Sequence, residues 1–551
     1  MSHWVGVAFM TALLCTGAVA QQPVDSAVIR EGLPTREWVP PHHAVGSSAG
    51  AQCRSEAVRD SYRSIQVNLD PRGCNIVGDA ANEPSIAVDL TDPRKIVIGW
   101  RQFNSVSSDF REPGWAYSHD GGHTWVFRGS VDPAIFGSDP VLAPGPNGEI
   151  YYLSINFEQM RLFHSFDGGL TWPLRTQVVP YFYDKPWFAI DTTHGVGRGN
   201  IYVTRPDGGV NRSTDAGRSF EDLDFPYAGE TIAVDEMGTV YLASRSYGDG
   251  HVDFTASASL KDPNQQAVAD VSYYLTLGFY RAYANTGGGD LGQAWVATRR
   301  NEELNATNVY LLDVVGTAPG GPPAEPCDVV FVRSPDGGKT WSRAIVLNDD
   351  GLAPTSVQWF NTLSVAPNGR IDVTWNDTRN SGVPNVSELY HTYSTDGGET
   401  FASNIPVSPS FDSTIGFPYN NEKIGDYYHM VSDNLGVNVA YAATFNGEQD
   451  IYFLRIGPWD CNGNEIVDAL DISELRSRDC NTNQVPDECE YRADINGDGL
   501  TTLPDFAAFQ KALTGPGVPI PDDCTRLLDP DHDNDIDLHD LYLLQHVFVA
   551  P

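Results

Sequence analysis

The octet Ser118-His-Asp-Gly-Gly-His-Thr-Trp125 occurs, with small changes, four more times in the chain. The other copies begin at Ser165, Ser213, Ser334 and Ser394, and all follow the pattern S-x-D-x-G-x-T/S-W/F. In such a segment the Asp accepts hydrogen bonds from its own loop, and the Gly adopts a positive φ that suits a tight turn. The Thr and the aromatic residue then restart a strand. The octet therefore predicts the tip of a β-hairpin, with a structural and not a catalytic role.

Two extended runs precede most octets, as in residues 83–89 with 96–101 and residues 139–144 with 149–153. Each repeat then forms a four-stranded meander with the octet between its third and fourth strands, and radial repetition of such meanders makes a β-propeller. The octets start 47, 48, 121 and 60 residues apart, so the long gap has room for a degenerate copy. Counting octets with that gap filled gives six blades, and counting strand pairs gives seven. We predict an all-β propeller of six or seven blades, and prefer seven, followed by a small module of calcium loops and helices.

The composition agrees with an all-β body. The chain of 551 residues contains 52 Gly, 37 Pro and 24 each of Tyr and Phe, which favour short strands joined by tight turns. Its 72 Asp and Glu residues against 35 Lys and Arg give a formal net charge of −37. Because a polyphosphate would be repelled by this charge, nucleic-acid binding is excluded as a function class.

The N-terminus predicts export. Residues 4–20 are almost wholly apolar and end in Ala18-Val19-Ala20, which fits a signal peptide cleaved after residue 20, with a membrane anchor as the alternative. No other stretch approaches a membrane span. We therefore expect a secreted protein, extracellular or at the cell surface. Seven cysteines would remain after cleavage, an odd number, and Cys53 with Cys74 is a plausible local disulfide.

The octets carry a resemblance to a known family. Over about residues 82–457 the chain resembles the BNR/Asp-box proteins of the sialidase-like propeller superfamily. Sialidases use a three-arginine clamp on the substrate carboxylate, a Tyr–Glu nucleophile pair and an Asp acid/base, so the resemblance implies this chemistry. The chain departs from the family in one respect, because no F-R-I-P-like motif stands near the propeller start and residues 82–85 read Asn-Glu-Pro-Ser. The resemblance thus reaches the octets but not the catalytic set.

Strand order predicts which face could bind a ligand. Neighbouring strands of a blade are antiparallel, so the octets share one face, here called the octet face. The first strands begin and the second strands end at the opposite face, here called the mouth face. Charged residues recur there, with Glu83 and Asp139 among the strand entries. The candidate catalytic residues are Asp184, Glu230, Asp377, Asp426 and Tyr427. The candidate substrate-binding residues are Arg101, Lys185, Arg205, Arg245, Arg299 and Arg379. Arginine forks bind carboxylates, and neighbouring carboxyls divide acid and base work; the alternative is that Arg–Asp pairs simply close the ring.

The acidic C-terminal region predicts calcium binding. Residues 458–551 contain 20 Asp and Glu against 5 Lys and Arg. Four segments repeat oxygen-bearing side chains at loop positions 1, 3, 5, 9 and 12, a pattern that wraps Ca²⁺, and a solvated acidic tail is the alternative. The side-chain ligands would be Asp460, Asn462, Asn464, Asp468 and Asp471; Asp479, Asn481, Asn483, Asp487 and Glu490; Asp494, Asn496, Asp498, Thr502 and Asp505; and Asp529, Asp531, Asp533, Asp537 and Asp540. Position 7 would add backbone carbonyls from Ile466, Val485, Leu500 and Asp535.

The last two loops each lead into an apolar helix, which resembles the paired loop–helix units of a dockerin, and the first two look like thrombospondin type 3 repeats. The resemblance implies a cohesin-like or cell-surface partner. The predicted domains are a signal peptide (1–20), an N-terminal arm (21–81), the propeller (82–457), Cys-containing calcium loops (458–491) and a dockerin-like module (492–551). We expect the propeller to be independent of the calcium loops.

Two functions remain open at this point. The first is a secreted glycoside hydrolase acting on acidic or terminal sugars and tethered through its calcium-binding module. The alternative is a non-catalytic propeller that binds a glycan or a protein at a surface, since a fold alone does not confer chemistry.

Overall fold

The structure is a computed structural model. It describes residues 56–181, 184–205, 208–223, 225, 229–245, 251–278, 286–289, 291–302, 304–316, 327–351, 356–480, 482–490, 503–520, 528–529 and 533–545. The predicted signal peptide and Cys53 lie outside these residues.

The described chain forms seven antiparallel sheets, each a propeller blade. Blade 1 contains β3 (Ala80–Val88), β4 (Ile96–Phe103), β5 (Glu112–Ser118) and β6 (Val126–Ser130). Blade 2 contains β7 (Ser138–Pro144), β8 (Ile150–Ile155), β9 (Met160–Ser165) and β10 (Leu174–Val179). Blade 3 contains β11 (Trp187–Ile190), β12 (Ile201–Thr204), β13 (Val210–Ser213) and β14 (Glu221–Leu223). Blade 4 contains β15 (Thr231–Val234), β16 (Val240–Arg245), β17 (His251–Ser257) and β18 (Val271–Thr276).

Blade 5 contains β19 (Trp295–Asn301), β20 (Ala306–Gly316), β21 (Cys327–Ser334) and β22 (Ile345–Val346). Blade 6 contains β23 (Gln358–Val365), β24 (Ile371–Asp377), β25 (Val386–Ser394), β26 (Ile405–Pro406) and β27 (Phe411–Asp412). Blade 7 contains β28 (His429–Ser432), β29 (Val437–Ala443) and β30 (Asp450–Ile456), and it is completed by β2 (Tyr62–Gln66) and β1 (Glu56–Arg59). The preferred count of seven blades is confirmed. The 121-residue gap between octets spans blade 4, whose third and fourth strands are joined without an octet.

The ring closes within blade 7. Strand β2 pairs antiparallel with β30, with Ser64 opposite Leu454 and Ile65 opposite Phe453. The innermost strands follow one another around the ring, and β28 contacts β3. The predicted boundary at residue 82 is therefore wrong: part of the predicted N-terminal arm supplies the two outer strands of blade 7. These strands are too short to show a strand period in the sequence, and only the long-range pairing defines them.

Octet aromatics pack between blades. Trp125 of blade 1 lies 5.2 Å from Phe453 of blade 7, measured between ring centroids. Phe401 of blade 6 lies 5.0 Å from Phe331 of blade 5. Each octet thus restarts its own blade's last strand and fills the core between two blades with one aromatic ring, which explains why the last octet position is Trp or Phe.

The C-terminal region has little regular structure. Its described helices are α1 (Asp468–Ser473), α2 (Leu503–Ala512) and α3 (Leu538–Gln545). A disulfide joins Cys461 to Cys489, a pairing between two loops that the sequence left open. Phe509, Leu528 and Ile536 form a small separate core. Within the described residues no helix is both long and apolar enough to cross a membrane.

Candidate functional site

In each octet the Ser, the Asp and the Thr or Ser bond to one another. In the first octet the Ser118 hydroxyl donates to Asp120 (2.6 Å), and the Thr124 amide donates to the same Asp120 oxygen (2.9 Å). The Gly122 amide donates to the Ser118 hydroxyl (2.8 Å). The same bonds recur around Asp167, Asp215, Asp336 and Asp396. Hydrogen bonds from Thr400 hold the pKa of Asp396 below its usual range. These carboxylates are engaged in turns, as predicted.

Charged residues meet at the mouth face, where three innermost strands begin in the same way. Glu83, Asp139 and Lys185 have φ values of 53°, 49° and 48°, and each precedes a proline. Positive φ is uncommon outside glycine, and proline cannot donate to a strand ladder, so both features mark a bulge. The strand register shifts at Glu83 and at Asp139. The bulges place the charged side chains at the rim of the ring.

Ion pairs link these side chains across the ring. Arg101 Nε lies 3.0 Å from Glu83 Oε2, and Lys423 Nζ lies 3.6 Å from Glu83 Oε1. Asp426 Oδ2 lies 2.6 Å from Lys423 Nζ and 3.8 Å from Lys185 Nζ. The group of Glu83, Arg101, Asp139, Asp184, Lys185, Lys423 and Asp426 is here called the mouth cluster. It joins residues of blades 1, 2, 3 and 7.

Burial divides the mouth cluster into two layers. The side chains of Glu83 and Arg101 are 0% and 1% exposed, whereas that of Lys423 is 27% exposed. Asp184 also has surface open to solvent. Gly289 lies against the outer layer, and a Cβ added there would come within 1.9 Å of Asp426 Oδ1. A ligand would therefore meet Lys423, Asp184 and Lys185 first, above a buried Arg101–Glu83 pair.

Burial and mutual charge interactions shift the pKa values of the carboxyl groups in the mouth cluster. Burial raises the pKa of Glu83 to about 8, against the lowering effect of Arg101. Loss of hydration, together with the charge of Asp139, raises the pKa of Asp184 to about 7, although part of its surface remains open. Burial also disfavours ionised Asp426, but the charges of Lys185, Lys423 and Arg101 outweigh it and hold the pKa of Asp426 below its usual range. Protonated and ionised carboxyls thus coexist near neutral pH.

Aromatic side chains close the axis below the mouth. Trp187 of blade 3 lies 5.1 Å from Trp295 of blade 5 and 5.3 Å from Tyr427 of blade 7. Trp295 stacks on His429 at 5.5 Å. Since blades 3, 5 and 7 are not neighbours, these contacts cross the axis. The mouth is therefore a depression, and these aromatic side chains form its base, here called the floor.

Tyr427 belongs to this floor. Its hydroxyl donates to the Pro140 carbonyl (2.9 Å), and burial raises its pKa well above the usual value. It is 1% exposed, which does not suit the predicted nucleophile role.

Three predicted arginines of the mouth face bind internal partners. Arg245 Nε donates to Asp313 (2.7 Å) in blade 5. Arg205 donates to Asn211 (2.6 Å) of its own blade. Arg379 donates to Asp377 (2.7 Å) and lies over the ring of Tyr390 at 4.4 Å. The predicted ring of substrate-binding arginines is therefore wrong for these positions, because the guanidinium groups bind blade residues.

Arg299 lies on the other face. It belongs to β19, an innermost strand, and Arg299 Nη1 donates to Glu236 (2.9 Å) in the loop after β15. The prediction that it lies at the mouth face is wrong, because it belongs to the first strand of its blade and not to the second.

The predicted catalytic residues Asp377 and Glu230 are also buried in the framework. Asp377 Oδ2 accepts bonds from Trp375 (2.9 Å) and Gln358 (3.1 Å). Glu230 is 3% exposed and accepts the Ala294 amide (3.0 Å). Of the predicted mouth residues, the structure brings together Arg101, Asp184, Lys185 and Asp426. Sequence reasoning missed Lys423, which lies in the link to blade 7 and carries no strand signal.

The first calcium loop is described in full. The Asn464 and Glu465 amides donate to Asp460 (3.1 and 2.9 Å), and Asn464 Nδ2 donates to Asp471 (2.8 Å). Asp468 Oδ2 and Asp471 Oδ1 are buried and accept no hydrogen bond from the described residues. Burial, with the charges of Asp460 and Asp471, raises the pKa of Asp468 to about 6. Buried carboxylate oxygens that accept no hydrogen bond from the described residues suit a cation.

Other loops repeat this geometry as far as they are described. The Asn483 and Gln484 amides donate to Asp479 (both 3.0 Å), and the Asp533 amide donates to Asp529 (3.2 Å). The sixth loop position has positive φ in three loops, at Glu465, Gln484 and Asn534. A calcium loop requires such a turn at that position. The donor sets thus fit Ca²⁺.

Further ligand positions are only partly described. Carboxylate oxygens of Asp535, Asp537 and Asp540 lie within 4.8 Å of one another, and Asp505 is buried. Asn462, Asp487 and Glu490 stand at their loop positions. Asn481, Asp494, Asn496, Asp498, Leu500, Thr502 and Asp531 lie outside the described residues.

Comparison with known proteins gives likeness in architecture. Neither a protein-family model nor a curated protein matches the chain. A protein of unknown function from Dyadobacter fermentans is 15% identical over 72% of this chain and 98% of its own, with a TM-score of 0.37. The endosialidase of phage phi92 is 9% identical over 74% and 70%, with a TM-score of 0.39. YCF48 bound to a D1 peptide is 13% identical over 74% and 99%, also at 0.39. All three TM-scores are below 0.5, and we draw no conclusion about function from these likenesses.

Proposed function

We propose that the protein is a secreted propeller whose mouth cluster binds the carboxylate of an acidic glycan. The observation that carries this proposal is the gathering of Arg101, Lys185 and Lys423 at the mouth of a chain with net charge −37. Secretion rests on the sequence of residues 1–20.

One buried cationic group of the mouth cluster has a donor atom left over. Arg101 Nη2 is buried and has no hydrogen-bond partner among the described residues. Lys185 Nζ lies 3.8 Å from Asp426 Oδ2, which adds a second positive charge near the mouth. A ligand carboxylate at Lys185 and Lys423 would gain charge-assisted hydrogen bonds above the Arg101–Glu83 pair.

The C-terminal loops would bind Ca²⁺, which supports a second part of the proposal. Asp468 and Asp471 are 3% and 0% exposed and carry the buried oxygens described above. The loaded module would attach the propeller to a cohesin-like or cell-surface partner, as the dockerin-like pattern of the last two loops implies.

A second candidate function is glycoside hydrolysis. It is favoured by Asp184, an accessible carboxyl with a pKa raised to about 7 by lost hydration, close to the ionised Asp426. Such a pair would divide general-acid and base or nucleophile work. Against it, the described arginines Arg205, Arg245, Arg299 and Arg379 do not supply the sialidase-type clamp.

A glycan array and a glycosidase assay together separate the two functions. We expect the purified full chain to retain sialylated and uronic-acid glycans and to lose them when their carboxyls are methyl-esterified. Retention that survives esterification would contradict carboxylate recognition. Fluorogenic glycosides test the second candidate: turnover that Asp184→Asn abolishes would establish a hydrolase, and retention without turnover would leave a binding protein.

A further inference from the structure

We propose that the first two calcium loops form a clasp over the seam at which the propeller ring closes, so that calcium binding stabilises the propeller itself. The clasp comprises the described residues 458–480 and 482–490, and the seam is the junction of blade 7 with blade 1. The proposal rests on the calcium binding proposed above and reverses the expectation that the propeller is independent of these loops.

The clasp sits on the octet face and contacts both blades of the seam. On blade 1, His123 of the octet stacks on Trp459 with ring centroids 4.0 Å apart. Arg94 Nη1, in the loop between β3 and β4, donates to the Glu488 carbonyl (2.7 Å). These two contacts use different loops of blade 1, and they come from opposite ends of the clasp.

Blade 7 holds the other side of the clasp. Asn434, between β28 and β29, donates through Nδ2 to Glu465 Oε1 (2.6 Å). Arg455, at the end of β30, donates to the Pro458 carbonyl (2.8 Å) and to Asp433 (2.9 Å). Strand β30 is the strand that pairs with β2 to close the ring. The clasp thus directly follows the strand that closes the ring.

The fit against blade 1 is close. A Cβ added to Gly121 would come within 3.2 Å of Cys461 Cβ, and one added to Gly463 would come within 2.8 Å of Pro93. The Cys461–Cys489 disulfide ties the two loops into one unit. A cleft of about 610 Å³ lies between the clasp and blade 7, lined by Tyr62 and Arg63 on one side and by Asp468 and Glu490 on the other.

Calcium would act through the same residues. The Asp468 amide donates to the Trp459 carbonyl (2.9 Å), so the loop that would hold the cation also holds the ring that stacks on blade 1. Without a cation, the buried carboxylates of Asp468 and Asp471 repel each other, which opposes the loop closure that places Trp459. A ligand that binds only the closed loop stabilises everything that the closed loop contacts.

The test is thermal unfolding of the full chain with excess Ca²⁺ and with chelator, followed by near-ultraviolet circular dichroism of the buried tryptophans. We expect Ca²⁺ to raise the melting temperature of the propeller transition by a few degrees. The shift should be lost in Asp471→Ala. It should persist in Asp540→Ala, the change at the same loop position, 12, of the last loop. Trp459→Ala should bind Ca²⁺ but show a smaller shift.

Calorimetric titration with Ca²⁺ distinguishes the possible failures. If the chain binds Ca²⁺ and the propeller transition is superimposable with and without it, the clasp is wrong while the calcium sites stand. If no heat of binding appears, the calcium sites fail and the clasp fails with them, whereas glycan binding at the mouth is unaffected. If Asp471→Ala does not fold, the melting temperatures of the wild-type chain with Ca²⁺ and with chelator still test the clasp.

Discussion

Acidic side chains on the two faces of the propeller are in opposite situations. On the octet face the Asp of each octet accepts hydrogen bonds from within its own eight residues, as Asp120 does from Ser118 and Thr124. On the mouth face Glu83 and Asp426 pair with cations from other blades. Hydrogen bonds within one octet give a structural turn that can be repeated in several blades. Contacts between blades give a site to which each blade contributes a different residue.

The comparison also separates two kinds of arginine. Arg101 belongs to the mouth cluster, whereas Arg245 bridges blades 4 and 5 through Asp313. Both arginines are buried at the mouth face and contact a buried carboxyl group. Only the first adjoins groups open to a ligand, so position on the correct face does not by itself make a binding residue.

The largest expected effect is that of Arg245→Ala. Removing one partner of a buried ion pair leaves Asp313 charged and unpaired, which costs about 3–5 kcal/mol of unfolding free energy. Arg299→Ala is the matched control, because its pair with Glu236 is exposed and contributes about 1 kcal/mol or less. Denaturant unfolding measures both. Equal losses would contradict the framework role assigned to Arg245.

Substitutions in the octets should have the next largest effect. Asp167→Ala or Asp336→Ala should cost about 1–3 kcal/mol, because each change leaves backbone and hydroxyl donors of the turn without their acceptor. Glycan binding should not change, since the octets lie on the far face. A variant that folds with wild-type stability and loses binding would overturn the division between the faces.

Lys423→Ala should weaken acidic-glycan binding about tenfold, the loss expected for about 1.4 kcal/mol from one charge-assisted hydrogen bond. Lys261→Ala is the matched control. Lys261 lies on the octet face, where its Nζ donates to the Met237 carbonyl (2.8 Å). Isothermal titration gives both affinities. The assignment of the mouth would be wrong if the two variants bound equally well.

The smallest effect is a pH dependence. With a pKa raised to about 7 by lost hydration, Asp184 is ionised above that pH and repels a ligand carboxylate. Affinity should therefore rise by less than about tenfold as the pH falls through 7. Asp184→Asn should flatten this profile. A profile that kept its slope in the variant would assign the dependence to another group.

The sequence predicts the parts of this molecule that are decided locally. The hydrogen bonds that shape the turn of an octet, such as those among Ser118, Asp120 and Thr124, lie within its eight residues, so the pattern alone gives the hairpin tip. The turn geometry of residues 460–465 is local in the same way, and calcium binding there stays a prediction. The strand entries Asp184, Lys185 and Asp426 were placed correctly because strand order fixes the face on which they lie.

The incorrect predictions concern features that depend on contacts between distant parts of the chain. Strand order does not show whether a side chain turns to the axis or into its own blade, and Arg205 and Arg379 turn into the blade. Arg299 was misplaced because it belongs to the first strand of its blade and not to the second, and Lys423 sits in a link without a pattern. The outer strands of blade 7 are defined by pairing across nearly the whole chain, as Ser64 with Leu454 shows.

Hydrogen exchange measured by mass spectrometry tests the central claim most directly. The full chain would be compared with and without the tightest-binding acidic glycan from the array, in constant Ca²⁺. The division between the faces predicts protection in residues 82–85, 138–141 and 423–427 at the mouth, with exchange unchanged in the octets at 118–125 and 334–341. Protection of the octets, with the mouth segments unchanged, would contradict it.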